Sequence, residues 1–232
     1  MKRVLLKLSG EALANGSNEM YDVAFVERVA DAIKTALERG AEIGIVVGAG
    51  NIWRGRAGGN MDRTSADRMG MLATVMNSIC LKDALCRAGV KARVMSAVPM
   101  YPFAESFSAD AAKTALSDGE VVIFGAGLGI PFLSTDTTGA VRAAEIGADA
   151  MLMAKNIDYI YTDDPRKNPD AKKLERVKAS EVLAMNLKAI DATATAFCLS
   201  NNMPIHVFGL SNPEDIVKAV FGEVDGTVVI PE

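Results

Sequence analysis

Lysine, arginine, glycine and aspartate recur in this sequence at one kind of place, just after a short apolar run. Lys7-Leu8-Ser9-Gly10 follows Val4-Leu5-Leu6, and Gly48-Ala49-Gly50-Asn51-Ile52-Trp53-Arg54 follows the run from Ile43 to Val47. Gly125-Ala126-Gly127-Leu128-Gly129-Ile130-Pro131 follows Val121 to Phe124 and leads into Ser134-Thr135-Asp136. Lys155-Asn156-Ile157-Asp158 follows Met151 to Met153 and leads to Tyr161-Thr162-Asp163-Asp164-Pro165. A lysine holds an oxyanion by charge, a glycine lets backbone N–H groups come close to it, and a guanidinium such as that of Arg54 grips a phosphate at two points. Glycine after a strand is often turn chemistry alone, so no one of these loops identifies a site. All of them fall at strand ends, where a parallel sheet gathers its loops along one edge.

The reactions that this inventory disfavours narrow the field. The single histidine, His206, lies inside the apolar run Pro204 to Phe208, which gives a Ser-His-Asp or Cys-His hydrolase little support. No Gly-x-x-x-x-Gly-Lys-Ser/Thr sequence is present, so a P-loop is absent. Trp53 and Phe132 stand where a dinucleotide-binding loop needs its third glycine. What is left is Lys, Arg, glycine amides and Asp. That set suits phosphoryl transfer to an acceptor that is already an anion, because a phosphate monoester, with a second pKa near ~6, needs no general base at neutral pH. Catalysis then reduces to alignment and charge neutralisation, with Mg²⁺ sharing the work. Asp136 and Asp164 can order the cations or the water around Mg²⁺, and capping of a helix is the competing role for Asp136.

The elements that must position these residues follow from periodicity. Apolar runs predict strands at Val4–Leu8, Ile43–Val47, Ala92–Met95, Val121–Phe124, Met151–Met153 and Ile205–Phe208. Three- and four-residue spacing predicts helices at about 22–39, with Asp22 as N-cap and Gly40 as the stop, and at about 65–88, 110–116, 138–146, 181–185, 192–199 and 213–220. Strands that are apolar throughout and alternate with helices give an α/β class: a three-layer αβα sandwich on a mainly parallel sheet. The chain reads as a single domain over 1–232, with a polar stretch at 163–173 between an N-terminal lobe (about 1–152) and a C-terminal lobe (about 153–232). The echo between Ile45–Gly50 and Val122–Gly127 reads as two similar strand-to-loop turns and not as a repeat.

Composition sets outer limits. A net charge of −4 and a pI near 5.2 argue against nucleic acid as a partner. Every apolar run ends well short of the ~20 residues of a membrane span, so a soluble, cytoplasmic protein is expected. Three cysteines without a Cys-x-x-Cys pair suggest neither a disulfide framework nor a zinc site.

At Lys7-Leu8-Ser9-Gly10-Glu11-Ala12-Leu13, Gly50-Asn51-Ile52-Trp53-Arg54-Gly55, Asp67-Arg68-Met69-Gly70-Met71-Leu72-Ala73-Thr74-Val75-Met76-Asn77, Pro131-Phe132 with Ser134-Thr135-Asp136, and Asp164-Pro165, the chain resembles bacterial uridylate kinases of the amino acid kinase superfamily. The likeness runs over nearly the whole length. It implies transfer of the terminal phosphoryl group of ATP to UMP, with Mg²⁺ accompanying ATP and no direct protein ligand to the metal. By the same likeness, Lys7, Leu8, Ser9, Gly10, Gly50, Arg54, Lys155, Tyr161 and Asp164 would serve ATP, with Lys7, Arg54 and Asp136 catalytic. Ala49, Asp67 and the segment Leu128-Gly129-Ile130-Pro131-Phe132-Leu133-Ser134-Thr135 would serve UMP, Asp67 by accepting hydrogen bonds from its ribose. A homohexamer regulated by nucleotides such as GTP and UTP is also implied. Ala49, Leu128, Ile130 and Tyr159 depart from the residues common in the family, Gly, Thr, Asn and Gly respectively, and the Leu128 and Ile130 departures bear on base selectivity. Two other readings stay open at this point: a kinase for a carboxylate or carbamate, and a nonenzymatic ATP-binding storage protein on the same scaffold.

Overall fold

The computed structural model describes residues 1–53, 60–165, 167–223 and 225–232. In chain order its elements are β1 (Arg3–Leu8), α1 (Gly10–Ala14), α2 (Val23–Glu38), β2 (Glu42–Val47), α3 (Arg63–Arg87), β3 (Ala92–Ser96) and β4 (Glu105–Ser106). There follow α4 (Ala109–Ser117), β5 (Val121–Gly125), α5 (Thr135–Ile146), β6 (Ala150–Lys155), β7 (Ile160–Tyr161), β8 (Lys173–Leu174) and β9 (Arg176–Lys178). The last are α6 (Ala179–Ala184), α7 (Ala192–Ser200), β10 (Ile205–Gly209), α8 (Glu214–Phe221) and β11 (Thr227–Ile230).

Nine strands form one sheet in the order β4-β3-β5-β2-β1-β6-β10-β11-β9, and every pairing in it is parallel except β10 with β11. The central strands are buried on both faces, which is why β2 is buried along its whole length and reads as a continuous apolar run. Two cores result. Leu6, Leu8 and Ile45 pack with Phe25, Val29 and Ile33 of α2, Leu81 and Leu85 of α3, and Ile216 of α8. On the opposite face Leu5, Met151 and Met153 pack with Leu116 of α4, Ala140 and Ile146 of α5, and Ala194 of α7. This is the expected αβα sandwich.

Asp22 caps α2 as the sequence predicts, accepting from the Phe25 N–H at 3.0 Å, and Gly40 closes that helix at φ +89°. Helices α3 to α6 start one to three residues earlier than periodicity predicts. α3 begins at Arg63, with Asp62 accepting from Ser65 N–H, and α5 begins at Thr135, with Ser134 accepting from Thr137 N–H. The two glycine loops that echo one another differ in backbone: Ala126 lies at φ +60°, whereas Ala49 is not among the residues with positive φ. Similar strands feed them, but they are not repeats of one structure.

α3 is the described helix long and apolar enough, by length and composition, to cross a membrane. Its inner face is packed on the sheet, where Asn77 and Ser78 are fully buried. Its outer face exposes Met69, Leu72, Met76 and Ile79, at steps of three, four and three residues.

Candidate active site

The centre of the site is set by strand register. Side chains alternate along a strand, so Lys7 shares a face of β1 with Leu5, and Lys155 shares a face of β6 with Met151 and Met153. Lys7 is paired with Met153 across the parallel β1–β6 ladder, which puts Lys155 one side chain further along the same face. Both lysines therefore leave the C-terminal edge of the sheet on the side covered by α5. Gly139 lets that helix lie close to the sheet: a Cβ there would come within 3.2 Å of Leu5 Cδ2. Asp136, three residues before Gly139, lies on the same helical face and meets the lysines. Lys7 Nζ lies 3.0 Å from Asp136 Oδ1, and Lys155 Nζ donates to Asp136 Oδ2 at 2.9 Å.

This geometry settles the competing role for Asp136. Ser134, not Asp136, caps α5, and the Asp136 carboxylate is committed to two ammonium groups. Burial pushes the Asp136 carboxyl up, but Lys7 and Lys155 together outweigh it and hold the group below its ordinary value. Burial lowers the Lys155 ammonium, with Asp136 opposing the shift and Lys7 adding to it. Two ammonium groups and one carboxylate leave one net positive charge at the N-terminus of a helix, a place already suited to an anion.

The β1 and β2 loops meet beside this cluster. A Cβ on Gly10 would sit 2.5 Å from the Gly48 carbonyl oxygen and from Asn51 Oδ1, so only glycine allows the approach. Asn77, fully buried on α3, donates to the Gly48 carbonyl at 2.7 Å and exchanges hydrogen bonds with the Asn51 amide at 2.8 and 3.1 Å. Ser9 caps α1, accepting from Ala12 N–H at 3.3 Å.

From there a cleft of about 950 Å³ opens between α3 and the loop after β5. Of the predicted residues, Ala49, Gly50, Asp67, Leu128, Ile130, Phe132, Leu133, Ser134, Thr135 and Asp136 line it. Gly129 and Pro131 belong to the same loop without lining the cleft. Tyr161 lies on β7, in the small antiparallel β7–β8 sheet, and Asp164 follows it; neither lines the cleft. Tyr159, beside them, has the Lys173 ammonium 4.5 Å from its ring centre. Arg54 lies outside the described residues.

Asp67 is held by two neighbours. Arg63 Nε donates to its Oδ1 at 2.8 Å and its Oδ2 at 2.9 Å, and the Phe132 N–H donates to Oδ2 at 2.8 Å. Partial burial pushes this carboxyl up, and the Arg63 and Phe132 donors outweigh it, so it lies below its ordinary value. Arg63 also places its guanidinium carbon 5.4 Å from the centre of the Phe132 ring, whose backbone is at φ +70°.

Sequence reasoning passed over Asp191. It caps α7, accepting from Thr193 N–H, while its Oδ2 accepts from both Ser134 Oγ and Thr137 Oγ1 at 2.6 Å. It thereby ties the start of α5, and with it Asp136, to the C-terminal half of the chain. Its only signal in the sequence is an Asp before a helix, which reads as a cap and nothing more.

A family model described as the amino acid kinase family matches residues 2–209. Among solved structures the chain is similar to a UMP kinase from Bacillus anthracis, at 35% identity and TM-score 0.95, covering 100% of this chain and 96% of that one. It is similar to a UMP kinase from Ureaplasma parvum at 36% identity and TM-score 0.93, covering 99% and 98%. A uridylate kinase from Archaeoglobus fulgidus matches at 28% identity and TM-score 0.77, covering 99% and 100%.

Proposed function

The chain belongs to the amino acid kinase family, and on that footing we propose that it is a uridylate kinase, transferring the γ-phosphoryl group of ATP to UMP to give ADP and UDP. The observation that carries this reading is the convergence of Lys7 and Lys155 on Asp136 at the head of the cleft. A phosphate oxygen of UMP attacks the γ-phosphorus, the bond to the β–γ bridging oxygen breaks, and ADP leaves with the negative charge. No proton has to be removed from the acceptor. Lys7 and Lys155 neutralise charge on the transferring group, and Asp136 keeps the two ammonium groups in place. In this reading Mg²⁺ comes with ATP. The Asp136 carboxylate is engaged by the lysines and that of Asp191 by hydroxyls, and no group of three metal-ligating side chains occurs among the described residues.

In this reading the N-terminal lobe, to about residue 152, takes UMP through Ala49, Asp67 and Leu128 to Thr135. The lobe from about 153 takes ATP through Lys155, Tyr161 and Asp164, together with Lys7, Leu8, Ser9, Gly10, Gly50 and Arg54 from the first. The protein works in the cytoplasm, as a homohexamer that answers to nucleotides such as GTP and UTP. Self-association is supported by the exposed stripe Met69, Leu72, Met76 and Ile79, an apolar seam that a second copy of α3 would cover. Leu72→Glu with Met76→Glu is expected to split the assembly in sedimentation velocity, and a wild-type chain that sediments as a monomer contradicts it.

The test of function is a turnover assay with ATP and a panel of UMP, CMP, dUMP, GMP, glutamate, aspartate and carbamate. ADP release with UMP, and none with glutamate, aspartate or carbamate, is the expected result. Turnover with a carboxylate or carbamate and none with UMP contradicts it.

A further inference from the structure

The carboxylate of Asp67 is nearly full before any ligand arrives. An ionised carboxylate offers about four acceptor positions, two on each oxygen. The single Arg63 Nε–H is shared between the two oxygens and covers one position on each, and the Phe132 N–H occupies the second on Oδ2. Among the described residues nothing else donates to this carboxylate, and one position remains, on Oδ1. Arg63 is well placed to keep it that way: it lies one turn before Asp67 on α3, the i to i+4 spacing at which side chains meet. Its guanidinium also lies over Phe132, so the contact reaches the loop that supplies the other donor.

We propose that Arg63 is a positioning residue that leaves Asp67 a single open acceptor position, so that the cleft reads one of the two ribose hydroxyls of its acceptor nucleotide and not the pair. The inference rests on the uridylate reading and goes beyond it. A carboxylate free on both oxygens would take the two neighbouring hydroxyls together and lose affinity on removal of either one. A carboxylate with one open position loses affinity only when the hydroxyl it reads is missing. Phe132 adds a second consequence: with Arg63 gone, the loop keeps its amide bond to Asp67 but loses the ring contact to the guanidinium.

The experiment is a binding titration of the full chain with UMP, 2′-deoxy-UMP and 3′-deoxy-UMP. Its readout is the fluorescence of Trp53, the one tryptophan of the chain, which lines the cleft and donates from Nε1 to the Ala66 carbonyl at 2.8 Å. Calorimetry checks the affinities, and wild type is compared with Arg63→Gln and Arg63→Lys, with circular dichroism confirming the fold. The wild type is expected to bind one deoxy analogue about tenfold more weakly than UMP and the other within about threefold, the size of one charge-assisted hydrogen bond. In Arg63→Gln all three nucleotides bind more weakly and the two deoxy analogues converge. Arg63→Lys keeps the charge but not the fixed donor, and recovers only part of the difference. Equal losses for both analogues in the wild type, or an unchanged pattern in Arg63→Gln, overturn the proposal. A wild type that binds UMP while showing either result leaves the uridylate reading standing; one that binds none of the three overturns both.

Discussion

The site has two charged clusters of opposite construction. Lys7, Asp136 and Lys155 are nearly buried, with side-chain exposures of 9, 13 and 17%, and they project from two central strands and the first turn of α5. Arg63 and Asp67 stand at the start of α3, with Arg63 47% exposed, and their third member, Phe132, belongs to a loop. The first cluster is positioned by sheet register and by the close approach of Gly139, so moving it means moving the core. The second is positioned by one helical turn and three hydrogen bonds in contact with water, where ion pairs are screened and weak. On the proposed reading, the charge that would meet the reacting phosphates is fixed by the core, and the charge that would select the acceptor is left adjustable.

The difference predicts a gradient of mutational cost. The largest effect is expected for Asp136→Asn, which leaves Lys7 and Lys155 facing each other without a counter-charge. Breaking a buried ion cluster in this way costs about 3–5 kcal/mol of stability, read by denaturant unfolding, and kcat should fall about a thousandfold. If Asp136→Asn matches wild type in both, the cluster is not the centre of the site. Asp191→Asn should cost less, about tenfold in kcat, because it removes charge from hydrogen bonds to Ser134 and Thr137 without touching the lysines. A loss as large as that of Asp136→Asn would place Asp191 among the groups that meet substrate.

Acidity separates the clusters further. The folded state holds Asp136 below its ordinary 3.8, so its stabilising contribution is complete above that value and is lost as the pH falls through the lower folded one. Lys155 is shifted the other way relative to its charge. Its proton is held less tightly in the fold than at the ordinary 10.5, so the alkaline limb of kcat should lie below 10.5 and should move up in Lys155→Arg. An alkaline limb unchanged in that variant assigns the titration elsewhere. The smallest effect is expected at Leu128 and Ile130, which line the cleft without a hydrogen-bonding side chain and which the proposed reading sets beside the base. Leu128→Thr should raise the preference for UMP over CMP by about fivefold in kcat/KM, within the range of one neutral hydrogen bond. No change would mean that backbone groups alone select the base.

How much of this was legible depended on whether the signal was local. β1, β2, β5, β6 and β10 are each built on a short apolar run, broken by Lys7 in β1 and His206 in β10, and Asp22 with Gly40 brackets α2, so these were readable. β4, β7, β8 and β9 are two or three residues long and exist only through their partners, which no window of sequence reports. β11 is an apolar run at Thr227–Ile230 left unassigned by its place near the end of the sequence, and its antiparallel pairing with β10 is a tertiary fact. The site divides in the same way. Lys7 and Asp136 could be singled out from their loops, but their meeting with Lys155 on one carboxylate depends on the β1–β6 register. Asp67 was visible only through family likeness, and Arg63 was not visible at all, because an Arg four residues before an Asp on a helix is an ordinary surface pair. Arg54, expected beside Lys7 among the catalytic residues, falls outside the described residues.

Single-turnover transfer from γ-labelled ATP to UMP, followed by rapid quench in wild type and Lys7→Met, tests the central claim most directly. The account predicts that the transfer step slows at least about a hundredfold while UMP affinity stays within about twofold, because Lys7 acts on the transferring group and Asp67 on the acceptor. A transfer rate unchanged in Lys7→Met would contradict it.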